Sequence, residues 1–240
     1  MKIKLIFSYD GSKFQGSQTQ PHENGVENEL GIALAHIGIF DKIVSSSRTD
    51  KDVHANNQVA SVRCGDHFKD FKRLADLINR HAHPHIHIKK ILRVDDNFHP
   101  RYNAKFRQYR YIINHGDFNP FLSQYQTFLP KFDIDRANEL LELFIGKHDF
   151  SAFMKVGSDT KSPIREVSQA FCYSHKEKTI IVFKANGFLR AQIRLMVATI
   201  LKALKLKNGA DLINLAIKNQ QPLTRIPAPP NGLYLNRVFY

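Results

Sequence analysis

Twice along this chain a stretch with the two-residue period of a strand gives way to one with the 3.6-residue period of a helix, in nearly the same order each time. "KIKLIFSYDG" opens as a strand and stops in a turn at Asp10-Gly11. "GVENELGIALAHIGI" then puts Val26, Leu30, Ala33, Leu34 and Ile37 on one helical stripe. "KIVSSS" and "QVASVRC" read as strands, "FKDFKRLADLINR" as an amphipathic helix with Phe68, Phe71, Leu74, Leu77 and Ile78 inward, and "HIHIKKILRV" as a strand again. The order β-α-β-β-α-β is the split βαβ arrangement, an antiparallel sheet with helices on one face. The second half runs through a strand "RQYRYIIN", a helix "DIDRANELLELFIG" capped by Asp133 and the strand pair "PIREVSQAFCYSH" and "KTIIVFKANG". A long helix "FLRAQIRLMVATILKAL", a last helix near "ADLINLAIKN" and a final strand "GLYLNRVFY" follow. The expectation is an α+β protein of two ferredoxin-like halves, 1–103 and 104–240, whose antiparallel sheets join over a central cleft.

At 240 residues, 42% of them hydrophobic and with 18 Phe and 8 Tyr, the chain is long and apolar enough to bury a full core. Lys and Arg total 35 against 22 acids, a formal charge of +13, and this excess points to a polyanionic partner, nucleic acid first. Cys64 and Cys172 match no metal or redox spacing, as in a reduced compartment. The start has no long apolar region and no run approaches a membrane span, so the chain reads as cytoplasmic.

"SSSRTDKDVHANNQVASV" crowds Arg48, Asp50, Asp52 and His54 into seven positions between two strands. A carboxylate on such a loop, beside a cation, suits a nucleophile or charge partner better than a general acid. Taken alone the stretch reads first as a surface turn held by an ion pair, with His54 a polar residue that hydrogen-bonds the turn rather than a base. Three other stretches shift that weighting. "YDGSKFQGSQTQP" is a glycine-punctuated loop suited to RNA contact. "FHPRYNAKFRQYRYII" interleaves arginine and lysine with aromatic rings, and on a strand Tyr109 and Tyr111 share one face while Arg110 takes the other. "KANGFLRAQIRLMV" puts Arg190 and Arg194 one turn apart on an otherwise apolar helix, where an arginine needs a carboxylate partner, and Asp50 is the natural candidate.

"YDGSKFQG", "SRTDKDVHA", "YRYII", "KANGFLRAQIRLMV" and "PPNGLYL" stand in an order and spacing that resemble the tRNA pseudouridine synthase A family, over the whole chain from Tyr9 to Tyr240. The resemblance implies the pseudouridine synthase fold and a cofactor-free, metal-free conversion of uridine to pseudouridine at positions 38 to 40 in the anticodon stem-loop of tRNA. It implies Asp50 as the essential carboxylate and Arg48 as the residue that helps displace the target nucleotide. It also implies Tyr109 as the aromatic residue packed on the target base and Arg194 as the partner of the carboxylate. A homodimer, with one tRNA touching both subunits, is implied as well. The family reads GRTDAGVHA where this chain has Ser47 for the first glycine and Lys51-Asp52 for Ala-Gly, and Ser17 stands where it has tryptophan. Aspartate is among the few non-glycine residues that take the left-handed region with little strain, so the turn is expected to survive at Asp52.

"HAHPHIHIKK" alternates His81, His83, His85 and His87, yet Pro84 interrupts it and no Cys or acidic ligand is near, which favours a polar strand face over a metal site. His148 and Asp149 fall outside the catalytic set. A non-catalytic tRNA-binding protein or chaperone of the same fold is the alternative, against which the retention of Asp50 with both arginines argues. A metal-dependent nuclease lacks its clustered acids.

Overall fold

In the computed structural model, which describes residues 1–19, 24–158 and 160–240, β1 (Lys2–Tyr9) buries every second side chain: Ile3, Leu5, Phe7 and Tyr9. Each such aliphatic or aromatic group contributes roughly 1.5–3 kcal/mol when fully covered. The chain divides into two units, Met1–Lys105 with Tyr234–Tyr240, and Phe106–Leu233. The last strand therefore belongs mainly to the first unit.

In the first unit β1 is followed by α1 (Val26–Ala35), β2 (Val44–Ser45), β3 (His54–Arg63), α2 (Phe71–Ala82) and β4 (Ile86–Val94). β1 lies between β4 and β3 and is antiparallel to both. α1 buries Val26, Leu30, Ala33 and Leu34, whereas Ile37 falls beyond the helix and is half-buried. α2 starts where the Asp70 carboxylate accepts the Arg73 N–H at 2.9 Å, and it buries Leu74 and Ile78. Phe68 precedes that cap, while Phe71 and Leu77 are half-buried at the margin of the stripe. The Asn79 side chain on α2 donates to Ile88 O at 3.0 Å and accepts from Ile88 N at 2.7 Å, satisfying the backbone where β4 bulges against β1.

"KIVSSS" supplies far less strand than expected. β2 pairs only Val44 with Ser61 and Ser45 with Ala60. The other end of the same β3 edge, at His54 and Ala55, is taken in parallel by Tyr234 and Leu235 of the C-terminal strand. Two strands share one edge, and residues 46–53 leave the sheet as a loop.

The second unit repeats the pattern. β5 (Phe106–Asn114), β6 (Thr127–Phe128), α3 (Ile134–Glu142), β7 (Gly146–Asp149), β8 (Ile164–His175), β9 (Lys178–Ala185), α4 (Gln192–Ala203) and α5 (Gly209–Asn219) lead to β10 (Leu233–Phe239), the C-terminal strand already met. Its strands run β5-β9-β8-β7, antiparallel throughout, with β6 parallel beside β5. Asp133 caps α3 by accepting from Asp135 N and Arg136 N at 2.9 and 3.0 Å. α4 begins four residues later than the apolar pattern of "FLRAQIRLMV" suggests. Ala191 takes a left-handed φ of 59°, and the buried Gln192 side chain folds back to accept the Leu189 N–H at 2.8 Å. Among the described residues no helix is long and apolar enough to cross a membrane.

Candidate active site

Three buried polar groups hold the 46–53 loop of the first unit. At its entry Gln58, on β3 and 1% exposed, accepts the Ser46 hydroxyl at 2.8 Å and donates to Ser47 O at 2.9 Å. At its centre Thr49 is bracketed by Ser17, whose Oγ accepts the Thr49 N–H at 2.8 Å and whose own N–H donates to Thr49 O at 3.1 Å. The Tyr9 and Thr49 hydroxyls meet at 2.7 Å. At its exit the Gly11 N–H donates to His54 Nδ1 at 3.0 Å, and the His54 ring stacks on Tyr234 at 4.7 Å. Gly11 is there for space: a Cβ would lie far inside contact distance of the Val53 carbonyl.

Thr49 thus anchors inward between two functional candidates. Arg48 is exposed and Asp50 half-buried. The Val53 N–H closes a turn onto Asp50 O at 3.2 Å, and Asp52, third residue of that turn, has φ 63°. This is the position that type II turns give to Gly or Asn, and aspartate occupies it here. A carboxylate carried by so fastened a turn is preorganised: little backbone motion remains to be frozen when substrate arrives.

The second unit holds the other two candidates. β5 buries Arg107, Tyr109, Tyr111 and Ile113 on one face, as strand alternation requires. Tyr109 is 6% exposed and meets the Phe188 ring edge-on at 5.4 Å. Arg107 belongs to that same inward face, and its Nη1 donates to Asn186 O at 2.8 Å. These contacts stitch the segment before α4 onto β5. Arg194, in the first turn of α4, donates from Nε to Ala228 O at 2.7 Å, while Ala228 N donates to Arg194 O at 3.0 Å. The Tyr111 hydroxyl donates to Pro229 O at 2.9 Å and lies 2.8 Å from Thr127 Oγ1. Burial pushes that hydroxyl up to about 12, against the pull of the Thr127 bond and the Arg194 charge, so it stays an uncharged donor. The "PPNG" segment is fastened further by Asn231, which donates to Ser123 O at 2.6 Å and Gln126 O at 2.8 Å.

Arg48 and Asp50 therefore share one loop of the first unit, while in the second Tyr109 packs on Phe188 and Arg194 bonds Ala228. Ser17, Gln58 and Gln192 were invisible as partners from sequence. A neutral glutamine inside the apolar run "QVASV" was the usable signal, because a buried amide requires partners. Gln20 and Pro21, at the end of the "YDGSKFQGSQTQP" loop, lie outside the described residues. The histidine tract is no continuous strand face: His81 lies in the last turn of α2, His87 alone lies in β4, and His83 Nε2 sits 2.9 Å from His87 Nδ1. Among the described residues no group of three His, Cys, Asp or Glu is placed to hold a metal ion.

A family model described as tRNA pseudouridine synthase matches residues 5–103 and 140–240. The chain is 51% identical over 240 residues to tRNA pseudouridine synthase A of Campylobacter jejuni subsp. doylei, with all of both chains covered. It is 37% identical over 242 residues to the protein of the same name from Helicobacter pylori strain P12, with 99% of each covered.

Proposed function

We propose, for a chain that belongs to the tRNA pseudouridine synthase family, that Asp50 is the catalytic carboxylate and that the substrate is the anticodon stem-loop at tRNA positions 38 to 40. The protein is an isomerase that converts uridine to pseudouridine in tRNA. In that reaction the bond from uracil N1 to the sugar C1′ breaks, the base turns and C5 joins C1′. The C5 proton leaves and N1 takes one up, with no change in mass.

A paired base is out of reach, so the target nucleotide has to leave the stack, at a cost of a few kcal/mol that stacking and backbone contacts offset. In this reading Arg48, exposed beside Asp50, engages the RNA backbone as the nucleotide leaves, and Tyr109 packs on the uracil. Arg194, its guanidinium oriented through Ala228 O, is the charge partner of Asp50. The enzyme works as a cytoplasmic homodimer with one tRNA spanning both subunits, so that a basic protein of +13 presents its charge along an extended polyanion.

The observation that carries the reading is the Thr49-anchored turn, which holds Asp50 beside an exposed arginine on a backbone bonded from both sides. Asp50→Asn keeps size and hydrogen bonding but removes the charge. It is expected to bind tRNA like the unaltered protein and to form no pseudouridine in mapped tRNA. Turnover near that of the unaltered protein would mean that another carboxylate does the chemistry.

A further inference from the structure

The residue immediately before Asp50 has all three of its polar groups committed. The Thr49 N–H goes to Ser17 Oγ at 2.8 Å, its C=O to Ser17 N at 3.1 Å, and its hydroxyl to Tyr9 OH at 2.7 Å. Ser17 is 2% exposed, Tyr9 5% and Thr49 9%, so water does not compete for these bonds. Ser17 is itself fixed from behind. The first two residues of α1's N-terminal segment, Val26 and Glu27, donate their N–H groups to Gly16 O and Ser17 O, each at 3.1 Å. Gly16 makes this approach possible at φ 115°, with its Cα side turned to Thr49 O. Tyr9 in turn is held in β1, where it pairs with Ala55 of β3 and packs edge-on against Phe14.

We propose that Ser17 and Tyr9 are positioning residues for the reaction: through Thr49 they set the backbone of Asp50, one from the start of α1 and the other from the central strand. The proposal rests on Asp50 as the catalytic carboxylate. A general structural role predicts lost stability and nothing more. Positioning predicts a specific split, because the carboxylate acts on the transition state while tRNA is held by other groups. Misplacement of a reacting group by a fraction of an ångström lowers the rate of the chemical step and leaves ground-state binding intact.

The test uses the full-length protein and unmodified tRNA transcript, with single-turnover rate, tRNA Kd, melting temperature and amide exchange measured on each variant. Ser17→Ala removes the acceptor of the Thr49 N–H. The expected result is a single-turnover rate at saturating tRNA lowered at least about tenfold, a Kd within about twofold and faster exchange at the Thr49 amide. Tyr9→Phe and Thr49→Val are expected to fall together, and the double variant to be no worse than either, since both remove one bond. Thr49→Ser, which keeps the hydroxyl, recovers most of the rate lost in Thr49→Val. Should Ser17→Ala fail to fold, the Tyr9 and Thr49 variants decide alone. Rates unchanged in both Ser17→Ala and Tyr9→Phe, or a loss abolished by more tRNA, overturn the proposal. If Asp50→Asn proves active, the catalytic assignment has failed instead. The clamp is then judged on Thr49 exchange alone, and exchange unchanged in Ser17→Ala overturns it too.

Discussion

Replacing Gln58 by methionine keeps an unbranched side chain of similar length and deletes its polar atoms at the entry to the 46–53 loop, while the backbone bond from Ser46 N to Val59 O at 2.8 Å stays. The lost bonds are those from the Ser46 hydroxyl at 2.8 Å, to Ser47 O at 2.9 Å and from Val59 N at 3.1 Å. They are not equal. Ser46 is 1% exposed and Val59 3%, so the Ser46 hydroxyl is left without water, whereas Ser47 is half-buried and its carbonyl can be rehydrated. A buried group orphaned in this way costs about 1–3 kcal/mol and a solvated one close to nothing. The Val59 N–H, which faces the same edge of β3 as the Val59 carbonyl that accepts from Ser46 N, also loses its partner and adds about 1 kcal/mol. The sum is about 2–4 kcal/mol, or about 5–12 °C in melting temperature for a chain of this size. Urea unfolding followed by circular dichroism reads the loss. Ser46→Ala combined with Gln58→Met is expected to cost at least about 1 kcal/mol less than the two separate costs added together, because the hydroxyl orphaned by one change is absent in the other. A loss below about 0.5 kcal/mol for Gln58→Met, with additive single changes, would refute the view that this glutamine secures the loop.

Asp52→Gly relieves a left-handed residue and is expected to keep pseudouridine formation within about tenfold, about 1.4 kcal/mol of barrier, whereas the β-branched Asp52→Val loses about 1–2 kcal/mol of stability in urea unfolding. The Tyr111 hydroxyl is raised on folding from about 10 to about 12, so its share of stability, at most about 3 kcal/mol, is complete below pH 10 and disappears as pH climbs through about 12. Phenolate absorbance should show one tyrosine ionising only as the protein unfolds, and Tyr111→Phe should flatten the alkaline limb of the stability curve. The charge of +13 predicts that tRNA affinity, measured by filter binding, drops about a hundredfold between about 50 and about 200 mM salt, as neutralising about four phosphates requires. An affinity indifferent to salt would contradict an electrostatic interface.

What the sequence by itself determined is what depends on local periodicity. The two-residue alternation of β1 and β5 and the inward stripes of α1 and, at Leu74 and Ile78, of α2 record which face meets the core, because each side chain's direction follows from its neighbours' backbone. Asp133 announced its helix for the same reason, since a cap acts within three residues, whereas the cap at Asp70 lay inside the expected helix and became evident only in the structure. The catalytic candidates were legible as residue types in ordered motifs, but not the means by which they are held. Tertiary structure alone decided that β2 is two residues long, because the edge of β3 had to be shared with a strand from the other end of the chain. It alone turned Ala191 left-handed and delayed α4 until Gln192. And it alone brought Gln58 to Ser46 across 12 positions and Ser17 to Thr49 across 32. A hydrogen bond between distant residues leaves no period in the sequence. Its requirement is only that both groups be buried together, and the fold decides which groups those are.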